Sequence, residues 1–142
     1  MKEKILIVED NPQNMRLIEM TLRLKGYELL KATDGEEALN MAISQKPDLI
    51  LMDLNLPKVS GLEVTKRLRQ TITFNHIPII AVTAHAMKGD KEKIIEAGCD
   101  AYLSKPIDTR QLPGVVAEML QKRQKIAPSI LENRNEQENP CN

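Results

Sequence analysis

Short apolar runs punctuate the chain at Ile5 to Val8, Leu49 to Met52 and Ile77 to Val82, with weaker ones at Tyr27 to Ala32 and Ala101 to Ser104. Each is strand-sized. Between them lie longer stretches in which apolar residues recur every three or four positions, the period of a helix with one buried face. The alternation predicts an α/β domain. Strands that are apolar almost throughout are buried on both sides, so the sheet is expected to be parallel and doubly wound, with helices on each face.

Local signals set the helix ends. Asn11 is the expected N-cap of the first helix, with Pro12 at N1 and Met15, Leu17, Ile18, Leu22 and Leu24 on its apolar side, and Gly26 closes it. Asp34-Gly35-Glu36-Glu37 and Ser60-Gly61-Leu62-Glu63 read as capping boxes. The first opens a helix with Ala38, Leu39, Ala42 and Ile43 inward, and Pro47 turns the chain into the next strand. The second opens a helix running to about Arg69, with Leu62, Val64 and Leu68 inward. A fourth helix is expected from Met87 to Ala97, closed by Gly98 at positive φ. Asp108-Thr109-Arg110-Gln111 opens the fifth, where Pro113 and Gly114 predict a late start or a bend. Leu112, Val115, Val116, Met119 and Leu120 are its apolar positions. From Ile126 the residues turn polar with no helical stripe, so residues 1–122 read as the domain and 123–142 as a disordered tail.

Composition narrows the function. The 142 residues carry 20 basic and 20 acidic side chains, which gives no field favouring nucleic acid or an anionic membrane. Cys99 and Cys141 are too few for a disulfide framework and lack zinc-ligand spacing, so a reducing cytoplasm is the natural location. Cys99 reads as inert packing and Cys141 as incidental. His76 and His85 read as surface groups, and Lys88, Lys91 and Lys93 as a solvated helix face. No run is long enough for a membrane span.

The chemistry gathers at strand ends. Glu9 and Asp10 follow the first strand, Asp53 the third, Thr83 the fourth and Lys105 the fifth. In a doubly wound sheet these ends share one edge, where such folds bind ligands. Three close carboxylates repel one another unless a divalent cation sits among them, and an oxygen-only site beside an ammonium and a hydroxyl suits Mg²⁺ and a phosphoryl group.

With Val8-Glu9-Asp10-Asn11, Met52-Asp53-Leu54-Asn55-Leu56-Pro57, Ser60-Gly61-Leu62-Glu63, Val82-Thr83-Ala84 and Tyr102-Leu103-Ser104-Lys105-Pro106 in order, the chain resembles the receiver domain of bacterial response regulators. The resemblance covers residues 3–122. It implies a flavodoxin-like (βα)5 fold with strand order 2-1-3-4-5. It makes Asp53 the phosphoacceptor, with Thr83 and Lys105 assisting. Asp10, Asp53 and the Asn55 carbonyl become Mg²⁺ ligands, with Glu9 orienting a water on the ion. Thr83 and Tyr102 become switch residues, and the Lys105–Pro106 bond becomes a cis peptide. A sensor histidine kinase or histidine phosphotransfer protein would be the donor and a downstream protein the target, with the chain itself a monomer and not an enzyme in the ordinary sense.

A stand-alone response regulator is therefore the expected function. The alternatives are a relay intermediate that hands the phosphoryl group on, or an interaction module indifferent to phosphate. A haloacid-dehalogenase-type phosphohydrolase wants a second Asp where Asn55 stands. A flavodoxin-like electron carrier wants a phosphate cradle that the first loop lacks.

Overall fold

A computed structural model describes residues 2–71, 77–84 and 88–122, with the side chains of Lys88 and Gly89 left aside. The expectations for Met87, His76, His85, Cys141 and the tail fall outside these residues. In chain order the elements are β1 (Lys4–Val8), α1 (Pro12–Arg23), β2 (Glu28–Ala32), α2 (Gly35–Gln45), β3 (Leu49–Asp53), α3 (Gly61–Arg69), β4 (Ile79–Thr83), α4 (Lys88–Ala97), β5 (Ala101–Ser104) and α5 (residues 112–122). All four strand pairings are parallel, in the order β2-β1-β3-β4-β5, as expected.

Alternation along the strands splits the core in two. Leu6, Val8, Ile50, Met52, Ile79 and Ala81 face one side, packing with Ala38, Ala42, Val64, Leu68 and Ile94 of α2, α3 and α4. Ile5, Ile7, Leu49, Leu51, Ile80 and Val82 face the other, with Met15, Ile18 and Leu22 of α1 and Leu112 and Val116 of α5. The helices start where the caps placed them. Asn11, Asp34 and Ser60 accept hydrogen bonds from the backbone N–H groups of Asn14, Glu37 and Glu63. In the Asp34 box the return bond goes one residue further back, Glu37 Oε1 accepting from Thr33 N at 2.8 Å.

Several expected details are corrected or resolved. The fourth strand starts at Ile79, because Pro78 has no N–H to give the ladder, although its carbonyl accepts from Ile50 N at 3.0 Å. The fifth helix takes the late start, opening at residue 112 with Pro113 in its first turn. Leu17, Leu24 and Ile43, expected inward, are exposed, because the apolar positions on α1 and α2 span a wider arc than the sheet covers.

One polar latch joins α3 to the α4–β5 turn. Arg69 donates from Nη2 to Asp100 Oδ2 at 2.7 Å and from Nε to the Gly98 carbonyl at 2.9 Å, while Asp100 Oδ2 also accepts from Ile79 N at 2.9 Å. Gly98, at φ +113°, lies so close that a Cβ would meet Arg69 Cγ at 2.6 Å. Removing the carboxylate leaves the Ile79 amide and the guanidinium short of an acceptor. Asp100→Ala is therefore expected to cost about 1–3 kcal/mol in urea unfolding. Arg110→Ala, which among the described residues breaks a 4.0 Å pair at a side chain 95% exposed, should shift the midpoint far less.

Candidate functional site

The strand order places β1 beside β3 at the centre of the sheet, and the chain reverses its direction of winding there. Glu9 and Asp10 leave the end of β1, and Asp53 closes β3 beside them. One carboxylate oxygen from each lies within 4.8 Å of the other two, with Glu9 and Asp53 buried and Asp10 exposed. Lys105, carried in from β5, sets its Nζ 3.1 Å from Asp53 Oδ1 and 3.8 Å from Glu9 Oε2. The Lys105–Pro106 peptide is cis. Thr83 ends β4, buried, and its carbonyl accepts from Lys105 N at 2.8 Å.

The oxygens are unequally provided for. Asp53 Oδ1 accepts from Asn55 N at 2.9 Å as well as facing Lys105, and Glu9 Oε2 accepts from Asn11 N at 3.2 Å. Asp53 Oδ2 and Glu9 Oε1 are buried with no hydrogen-bond partner. A buried carboxylate oxygen without a donor is costly, and two together mark a place meant for an external group. A hard divalent cation matches this donor set, since it would supply charge to both orphans and relieve an excess of carboxylate over ammonium. Burial, and next the charge of Asp53, pushes the Glu9 carboxyl up to about 7 from its ordinary 4.5.

That shift makes the metal-free fold sensitive to pH. The folded chain holds a proton on Glu9 that the unfolded chain releases above about 4.5, so this group's contribution to stability falls as pH rises to about 7 and is level beyond. With chelator present, urea unfolding should show roughly 2–3 kcal/mol less stability at pH 7.5 than at pH 5, relative to Glu9→Gln, and added Mg²⁺ should recover much of it. Parallel pH profiles for the two proteins would remove Glu9 as the cause.

Asn55 also reaches the β4 end, its side-chain Oδ1 accepting from Ala84 N at 3.4 Å. Tyr102 stands outside the carboxylate cluster, half-buried on β5 against the α2–α3–α4 side of the core, with Lys91 Nζ 5.4 Å above its ring. Lys93 is exposed, as is Lys91. Cys99 is buried, its thiol pushed up to about 11 by burial, 3.9 Å from Thr65 Oγ1.

Gly61 has a closer relation to the site than its place in a capping box indicated. A Cβ there would come within 2.8 Å of Leu54 Cα and nearer still to the Asp53 carbonyl oxygen. The first turn of α3 thus lies directly against the Asp53–Leu54 peptide. Thr65 steadies that turn by donating to the Gly61 carbonyl at 2.8 Å. A capping-box reading explains a small residue at N1 but carries no signal of what lies across from it.

Comparison with known proteins bears on the same residues. A family model described as the response regulator receiver domain matches residues 5–117. The polar-differentiation response regulator DivK of Brucella anthropi is 54% identical over 107 residues, covering 75% of this chain and 87% of that protein. Among solved structures, a CheY-like receiver domain protein from Methanospirillum hungatei aligns with a TM-score of 0.82 at 28% identity, over 88% of this chain and 98% of the other. The receiver domain of a sensor histidine kinase from Pseudomonas aeruginosa PAO1 was solved with a magnesium ion coordinated in its active-site cleft. It aligns with a TM-score of 0.79 at 38% identity, over 85% of this chain and 99% of that one.

Proposed function

The chain belongs to the response regulator receiver domain family, and from that membership we propose that Asp53 accepts a phosphoryl group from a phosphohistidine on a sensor kinase or phosphotransfer protein. The observation that carries this reading is the divided state of Asp53: 1% exposed, one oxygen held by Asn55 N and Lys105, the other with no partner. In the transfer, an Asp53 oxygen attacks phosphorus, the P–N bond breaks, the imidazole leaves, and an acyl phosphate remains. Lys105 offsets charge on the phosphoryl oxygens, and the Thr83 hydroxyl donates to one of them.

Asp10, Asp53 and the Asn55 carbonyl would hold Mg²⁺, with Glu9 beside them. The ion supplies positive charge to the carboxylates and to the phosphoryl oxygens as they meet. The buried orphan oxygens and the magnesium-bearing receiver domain from Pseudomonas aeruginosa support this assignment. Once charged, the new oxygens draw Thr83 inward, Tyr102 turns toward the space behind it, and the α4–β5–α5 face changes shape for a downstream protein. In this reading the receiver spans residues 1–122, followed by a tail, and works in the cytoplasm as a monomer. Among the described residues no helix is long and apolar enough to cross a membrane.

Acetyl phosphate or phosphoramidate should label the protein in Mg²⁺, and chelator should abolish the label. Labelling indifferent to chelator would overturn the metal's part in the reading. If the chain is an output switch, its label should drain no faster when an unphosphorylated phosphotransfer protein is added; accelerated loss would make it a relay intermediate.

A further inference from the structure

Helix α1 presents a second apolar stripe, on the side away from the sheet. Leu17, Met20 and Leu24 are 38%, 60% and 86% exposed, spaced to lie along one line of the helix. With Pro113 of α5 they border an open groove of about 670 Å³, and Lys25 and Arg110 stand on its rim. Their neighbours Met15, Ile18 and Leu22 already fill the core, so the sheet has no use for the outer stripe.

The chain carries its own candidate to cover it. Both α1 and α5 run back from the carboxyl edge of the parallel sheet, so Leu24 and residue 122 lie toward the same edge. The segment 123–142 begins there and lies beyond residues 5–117 matched by the family model. Pro128 cannot sit inside a continuing helix and biases Ala127 toward extended backbone. Ile130 and Leu131 follow as adjacent large apolar residues in a segment whose other large aliphatic side chain is Ile126, too few to form a core of its own. Residues 132–142 then carry Glu132, Glu136 and Glu138 against Arg134, a local acidic excess opposite Lys25 and Arg110, with Arg123 and Lys125 confined to the stretch that leads to them. The reach suffices: eight residues from 122 to Ile130 span up to about 27 Å, whereas Pro113 lies only about 14 Å back along α5.

We propose that residues 123–142 fold back on their own domain, seating Ile130 and Leu131 in the groove over Met20 and Leu24, with the acids that follow facing Lys25 and Arg110. Tethering gives the segment an effective concentration of order millimolar, so modest contacts are enough to dock it.

A nitroxide on Cys141 of the full chain tests this, since Cys99 is 6% exposed and its thiol titrates far above the labelling range. In ¹⁵N spectra the amides of Leu17 to Lys25 should weaken about twofold or more relative to the reduced label. Ile130→Asp with Leu131→Asp should restore them, as should Met20→Asp on the groove side, and high salt should restore them in part. Equal broadening in all three proteins would overturn the proposal. So would broadening that passes from spin-labelled, isotopically unlabelled chains to isotope-labelled ones, which would make a second copy the occupant.

Discussion

Asp53→Asn is expected to give a folded protein that takes up no phosphoryl group. An amide in the Asp53 position has no anionic oxygen to attack phosphorus, so labelling by acetyl phosphate in Mg²⁺ should fall at least about a hundredfold, as when a nucleophile is removed from other group-transfer sites. The fold should survive, and the reason lies in the local charges. Asp53 is buried beside Glu9, and its charge is the second cause of the raised Glu9 carboxyl. Replacing it with a neutral amide keeps an acceptor for Asn55 N, lowers the repulsion on Glu9, and leaves Lys105 within 3.8 Å of Glu9. Without metal at pH 7.5 the variant should therefore be as stable as the parent or more so, by about 1–2 kcal/mol. The combination is diagnostic: loss of label without loss of stability isolates the reactive group, whereas persistence of full label in Asp53→Asn would move the phosphoacceptor elsewhere.

The sequence pattern carried the architecture because each level agreed with the next. Strand runs such as Ile5 to Val8 and Leu49 to Met52 are apolar at every position, which only a sheet covered on both faces accommodates, and Asn11, Asp34 and Ser60 start their helices by bonding back to N–H groups. A parallel sheet also brings its carboxyl ends to one edge, which is why Glu9, Asp10, Asp53 and Lys105 meet despite nearly a hundred residues of separation. What the pattern could not carry was the identity of the opposing surface. Leu17, Leu24 and Ile43 fit a helical stripe as well as their buried neighbours do, and only the width of the sheet beneath decides which are covered. The resemblance offers the Asn55 carbonyl as an expected metal ligand, but the reach of its side chain to Ala84 N depends on how two loops approach each other.

Gly61 is the sharpest case of such an opposing surface, and its replacement is expected to disturb the fold and the site together. Unlike Gly26 and Gly98, whose φ values of +86° and +113° call for glycine on conformational grounds, Gly61 has ordinary helical company and a capping Ser60 before it. Alanine is the better helix former, so propensity alone predicts a gain of up to about 1 kcal/mol. Contact reverses the sign. The added methyl would sit 2.8 Å from Leu54 Cα and closer still to the Asp53 carbonyl oxygen, and main-chain atoms cannot rotate away as a side-chain tip can. Either α3 lifts, straining the packing of Val64 and Leu68, or the Asp53–Leu54 peptide moves. Overpacking of this kind costs about 1–3 kcal/mol, and both responses shift the loop that positions Asn55 N against Asp53 Oδ1. Gly61→Ala should thus lower the urea midpoint and slow labelling by acetyl phosphate together. A variant more stable than the parent would show that α3 does not press on the Asp53–Leu54 peptide in solution.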